Sequence, residues 1–435
     1  MSLVFGLSAA SGMAGELPPL PQHGDAAHLG VQTCAGSTCH GAVKPWQNSS
    51  VLQNEFLTWE RNDPHARAFR ALGSAQGQRI ARNLGLADAR TAAICLDCHA
   101  DNVPAAKRAK NFRLSDGVGC EACHGGATSW LGLHVSGTGT RADNIRAGMF
   151  PTEDPKARAR LCLSCHFGDD TKFVNHRIMG AGHPRLVFEL DTFTVSEPAH
   201  FRVDADYRQR KHVANGVQVW AIGQAAAVSA TLKGLLDPKR NRAGLFPELV
   251  FFDCQACHHP LTNIRWQPRS ATGLGPGTPR LNDANLVMLR IIAGTFDPDL
   301  GKKLFSQTRA LHQASVKDGR ATAAAVRQLA ETVDGMAGRL GTMQFGTDRM
   351  WAMFDALLRA GAAGEFVDYA AAEQATMALG SVLSALHKAG TADARTVRRF
   401  NGALEKAYAA TEKDSEYRPE RFAEALRGMK ALRRD

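Results

Sequence analysis

The 435-residue chain has only four tyrosines and few runs of β-branched residues, which argues against a sandwich or barrel built from many strands. Beyond its first residues, no segment holds the eighteen-odd uninterrupted apolar residues of a membrane span, so no transmembrane segment is expected. Dense Lys/Arg runs interleaved with aromatics are missing as well, and nucleic acid is not an expected partner. There is also no spare cysteine. All ten fall inside five short motifs, which leaves none to staple the fold elsewhere.

Those motifs carry the chemistry. Cys95-Leu96-Asp97-Cys98-His99, Cys120-Glu121-Ala122-Cys123-His124, Cys162-Leu163-Ser164-Cys165-His166 and Cys254-Gln255-Ala256-Cys257-His258 are four copies of C-x-x-C-H, the attachment signature of c-type haem. An upstream version, Cys34 to Cys39 followed by His40, has four residues between its cysteines. On one helical turn, residues three and four apart share a face, so two thiols can reach the two vinyl groups along one porphyrin edge. The adjacent histidine then swings under the ring and offers a nitrogen to iron. C-x-x-C by itself equally describes zinc or thioredoxin-type sites. Four exact copies with no cysteine left over favour haem, and the longer first motif works if Ala35, Gly36 and Ser37 bulge outward. Five haem c groups are expected.

The protein carries a formal net charge of +10, which in isolation suggests an anionic partner. Five haems would bring about ten propionate charges and nearly cancel it while the irons are ferrous. Residues 1–15 read as the apolar and cleavage regions of a secretory signal, with Gly12 and Ala14 as the small residues such a site wants. Thioether attachment is completed outside the bacterial cytoplasm, so an exported, soluble, periplasmic protein is expected.

The expected fold is mainly α, with a multihaem cytochrome domain over residues 16–270 and a helical bundle over 281–435. Within the first, helices are expected from Ser49 to Leu72 with an interruption at Pro64, over 78–99, over 155–166 and over 213–236. A turn is expected at Gly117 to Gly119 and a loop between His134 and Gly148. The stretch 175–212 gives no clear pattern. Residues 271–280, with their Gly and Pro, read as a linker. Beyond them, Val326, Leu329, Val333, Met336 and Leu340 repeat at three and four, as do Met350, Phe354, Leu357 and Leu358, and later Met377 to Leu386. That is the stripe of a bundle of about six helices, its Met and aromatic residues serving as core.

Each motif supplies one axial ligand: His40, His99, His124, His166 and His258. Eleven other histidines remain, at 23, 28, 65, 134, 176, 183, 200, 212, 259, 312 and 387, and nine of them lie in the haem-bearing portion. His183, before Pro184 in a Gly-Ala-Gly turn, is a candidate rigidly held ligand. His259 cannot share an iron with His258 beside it.

The run Trp59 to Ala68 with His65, the string Gly117-Val118-Gly119-Cys120-Glu121-Ala122-Cys123-His124-Gly125-Gly126, and His134 resemble the tetrahaem cytochrome c family of ammonia-oxidising bacteria. In that family four haems pass electrons away from hydroxylamine oxidation through close stacked pairs. The resemblance covers residues 28 to about 170. It implies that His134 caps the iron of Cys34, Cys39 and His40, and that His65 caps the iron of Cys162, Cys165 and His166. It assigns the third-motif iron a downstream ligand, here His176, His183 or His212. It leaves the second haem, held by Cys95, Cys98 and His99, five-coordinate. The longer first motif, the fifth haem site and the helical C-terminal third depart from the family.

Two functions follow. The first is electron transfer between redox partner proteins through closely packed, mostly bis-His haems. The second is a haem oxidoreductase acting on nitric oxide, nitrite or hydroxylamine at an open iron, with His99 as its candidate.

Overall fold

The computed structural model describes residues 17–241, 247–259 and 269–433. The signal-like segment therefore lies outside the described residues. Among the described residues there is no strand, only isolated bridges pairing His28 with Arg108, Val51 with Phe201, and Phe252 with Leu281. The fold is mainly α.

The N-terminal half is made of short helices joined by turns, because its apolar residues come too sparsely to bury a long helix face. Glu55–Asn62 is the first, stopped by Pro64 and followed by the 3-10 turn Pro64–Arg67 and the short helix Ala68–Leu72. The stretch 78–99 is two helices rather than one, Ala75–Asn83 and Ala93–His99. Between them the Asp88 carboxylate accepts the Arg90 amide at 2.8 Å, the local bond with which Asp replaces a helical turn. The expected loop at 134–148 instead contains the end of Leu131–Ser136 and the helix Arg141–Arg146. A capping box nucleates the latter, Thr140 and Asp143 each bonding the other's backbone amide. Pro155–His166 forms as expected, capped by Asp154. The unpatterned stretch holds three short helices, His176–Gly180, Leu190–Ser196 and Ala205–Arg210.

The main core lies further on. Helix Gly216–Leu236, capped by the Asn215 side chain, is apolar on nearly every side and long enough to cross a membrane. Its surface is largely taken up within the protein, as befits a core helix. It packs against Pro155–His166, Leu190–Ser196, Ala284–Gly294, Gly319–Thr342 and Tyr369–Lys388. Seven helices follow residue 281: Ala284–Gly294, Pro298–Ser315, Gly319–Thr342, Thr347–Ala362, Tyr369–Lys388, Ala394–Ala410 and Pro419–Leu432. Trp220, Met288, Leu304, Val326, Leu357 and Leu386 are shut off from solvent in one continuous cluster. Burial of such side chains stabilises by about 1.5–3 kcal/mol each. The cluster draws on both sides of residues 271–280, from Ala159, Leu190 and Val217 to Phe251 on one side and from Leu281 on the other, so one core joins the two stretches.

Buried ion pairs clamp the same junction. Arg269 pairs with Asp283 and Asp368, and Arg280 pairs with Asp368 and, at 3.1 Å, with Asp253. Asp253 immediately precedes the fifth motif. The fifth motif is thereby tied to the bundle, and the fourth motif joins it through Pro155–His166.

Candidate haem sites

Each motif places its histidine at the end of one turn. His99, His124 and His166 are the last residues of their helices. In the fifth motif the His258 amide donates to the Cys254 carbonyl at 2.8 Å, which folds the same turn. The first motif reaches an equivalent closure over a longer span. The His40 amide donates to the Cys34 carbonyl at 3.1 Å, while Gly36, Ser37 and Thr38 loop out into solvent. The two extra residues therefore leave the ends of the motif where a shorter one would put them.

Four of these histidines face a second histidine from elsewhere in the chain. Ring centroids lie 6.0 Å apart for His40 and His134, and 6.1 Å for His65 and His166. They lie 6.3 Å apart for His99 and His183, and 6.0 Å for His176 and His258. Two imidazoles bound to one metal through about 2 Å metal–nitrogen bonds, with the ring centre about 1 Å further back, would stand about 6 Å apart. The donor set and its spacing thus fit a bis-imidazole iron.

The far nitrogens are held as ligand histidines require. Glu55 binds His40 Nδ1 at 3.0 Å while also accepting the Leu52 and Gln53 amides. Asp63 binds His65 Nδ1 at 2.9 Å and the His65 amide at 2.9 Å. The Ala68 carbonyl accepts from His99 Nδ1 at 3.1 Å, and the Pro184 carbonyl from His183 Nδ1 at 2.8 Å. Each of these bonds leaves Nε2 to a metal. The Glu55 and Asp63 hydrogen bonds raise His40 and His65 above the ordinary histidine value despite burial. Burial takes His166 down to about 4 and His124 down to about 3, keeping the neutral, metal-binding form. Asp63, His65 and Glu197 also cluster, but Asp63 is already engaged as the His65 anchor.

Local bonds bring the motifs together. The Cys34 and Cys120 side chains are neighbours, as are those of Cys98 and Cys165, so the first motif abuts the third and the second abuts the fourth. Buried Glu121 accepts the amides of Leu29, Gly30 and Ala127 at 2.7–2.8 Å and locks the third motif onto the segment before the first. The expected turn sits at Gly117, whose φ is +77°. A Cβ there would come within 2.7 Å of the His65 carbonyl oxygen, and that carbonyl accepts the Val118 amide. The turn and His65, which faces His166 of the fourth motif, therefore fit only with glycine in place.

The remaining positions divide. His183 faces His99, the candidate for an open iron, and His176 faces His258, so neither stands opposite the third motif. His212 is exposed and makes no ring contact among the described residues. Among the described residues no histidine ring stacks against that of His124, but His200, Arg141, His40 and Lys211 lie within electrostatic reach of it. The Pro198 carbonyl accepts from His200 Nδ1 at 3.3 Å, again leaving Nε2 unspent. Sequence reasoning missed His200, because nothing in its local spacing separates it from the other downstream histidines. Cys254 lines a cavity of about 80 Å³ together with Phe167, Val174, Met179, Phe251, Arg185 and Arg240.

No curated protein and no solved structure matches the chain. Residues 33–125, which carry the first three motifs, match the family model described as cytochrome c554 and c-prime, and so this part of the chain is similar to a c-type cytochrome of electron transfer.

Proposed function

We infer that the chain is a periplasmic five-haem c-type cytochrome that carries electrons between redox partner proteins. Bound haem supplies reversible one-electron chemistry at iron. The protein's part is to hold each porphyrin between two imidazoles, in the pairs His40/His134, His99/His183, His166/His65 and His258/His176, with His200 completing the site of His124. Two strong-field imidazoles keep an iron low-spin and nearly unchanged in shape between its two oxidation states. The abutting motifs set the rings close together, and the helical core steadies the fourth and fifth of them.

The observation that carries this reading is the recurrence of one spacing, 6.0–6.3 Å, in four histidine pairs drawn from distant parts of the chain. Intact mass of the purified protein tests the count of five haems. Electron paramagnetic resonance of the oxidised form tests their ligation, and low-spin signals alone are expected.

A second reading attaches to the third motif. Arg141, Lys211 and His200 lie within electrostatic reach of His124, a set of residue types suited to clamping and protonating a small anion such as nitrite. On that reading the iron above His124 is five-coordinate and the protein is a haem oxidoreductase. A high-spin signal that shifts on adding nitric oxide or hydroxylamine would favour it over pure electron transfer.

A further inference from the structure

Arg240 is a buried cation with no ion pair among the described residues. It is 4% exposed and sits at the end of the short helix that follows Gly216–Leu236. Its guanidinium lies 5.8 Å from the centroid of the Phe167 ring, 4.9 Å from that of Phe173 and 5.8 Å from that of Phe251. Among the described residues it has no ion pair, and its Nε has no hydrogen-bond partner.

Among the described residues no carboxylate forms an ion pair with it. Asp237, Asp169, Asp170 and Glu248 act on Arg240 only through space. Glu248 accepts the His176 and Val250 amides, Asp169 the Thr171 and Lys172 amides, and Asp237 the Lys239 amide through Oδ1, while its buried Oδ2 has no hydrogen-bond partner among the described residues. Asp170 is exposed. Arg185, the other cation at the cavity, is already bound to Glu373 at 3.0 Å.

An unpaired guanidinium in a cage of three phenyl rings is costly, since burying a charge without its partner outweighs what cation–π contact returns. The protein nonetheless makes room for it. A Cβ on Gly234 would meet Phe251 at 2.8 Å and the Arg240 guanidinium carbon at 3.2 Å. Arg240 also lines the same cavity as Cys254.

We propose that Arg240 is the counter-charge for a propionate of the haem held at the fifth motif, and that this pairing raises the potential of that one iron. The proposal rests on the reading that Cys254, Cys257, His258 and His176 hold a haem. Ferric iron carries one more positive charge than ferrous, so an unneutralised propionate favours the ferric form and a paired one favours it less. That iron would then hold an added electron more firmly than it would without Arg240.

The test uses full-length holoprotein as wild type, Arg240→Gln and Arg240→Lys. Peptide mapping of the wild type comes first: a Cys254–His258 peptide without haem would sink the underlying reading and leave the variants moot. With that haem present, potentiometric titrations followed by visible absorbance are compared. In R240Q one haem's share of the absorbance change should move to lower potential while the other four stay put, and R240K should restore most of the shift. Loss of only the fifth haem in R240Q with retention in R240K would also support the pairing. A R240Q titration that overlays the wild type at equal haem content would overturn it. So would an equal shift or equal haem loss in both variants, which would make Arg240 a packing residue.

Discussion

The rings of His65 and His166 cross at 89°, whereas those of His40 and His134 lie within 15° of parallel at nearly the same separation. His99 and His183 cross at 82°, and His176 and His258 stand at an intermediate 33°. The relative angle of two axial imidazoles governs how far the iron d-orbitals split. Oxidised protein should therefore show two classes of low-spin resonance, strongly anisotropic signals from the crossed pairs and rhombic ones from the near-parallel pairs. A single class would contradict the ring geometry.

Replacing His183 by alanine removes the residue facing His99 without touching a cysteine. Five haems should remain by mass, and a high-spin signal absent from the wild type should appear. His200→Ala should do the same at the third motif. If H200A leaves the spectrum unchanged, His200 is not the ligand there.

Glu55 is expected to tune the iron bound by His40. Its hydrogen bond to Nδ1 makes the imidazole a stronger donor and favours ferric iron. Glu55→Gln should raise the midpoint of one haem, read in the same titration, with the other four unmoved.

The ion pairs beside the fifth motif predict an acid-sensitive step. Burial pushes the Asp283 carboxyl up, but Arg269 and His312 outweigh it and hold the group below its ordinary value. A carboxylate depressed in the folded state contributes stability that is fully present above its unfolded value of about 3.9 and is lost as pH falls toward the folded one. Asp283→Asn should cost about 3–5 kcal/mol at neutral pH by leaving Arg269 short of a partner. The gap between mutant and wild type in denaturant titrations should narrow as the pH is lowered below about 4. A constant gap would mean that Asp283 charge is not the source.

The sequence exposes local chemistry and hides what is joined over long range. Cysteines 95, 98, 120, 123, 162, 165, 254 and 257 lie in a fixed short pattern, so their histidines could be assigned without a fold. The second histidine of each pair could not, because a ligand arriving across the molecule obeys no spacing rule. His134 and His65 came from resemblance, while the placing of His183 opposite His99 and His176 opposite His258 needed tertiary structure. The same limit applies to the helix Gly216–Leu236. Its lack of polar faces is plain in the letters, but its partners Gly319–Thr342 and Tyr369–Lys388 lie beyond a Gly/Pro-rich stretch that reads as a boundary. Helix Arg141–Arg146 was hidden because polar, glycine-flanked composition outweighed a capping box whose effect is decided by two side chains.

The outward bulge of the first motif bears on how such chains are inventoried. What geometry demands of a porphyrin tether is that both anchoring sulfurs and the metal-facing ring emerge from one closed loop, and the His40-to-Cys34 bond meets that demand with spacer to spare. On the five-haem reading, a ruler set to a two-residue gap would count one cofactor too few in this protein. It would also miss the tether whose imidazole faces His134.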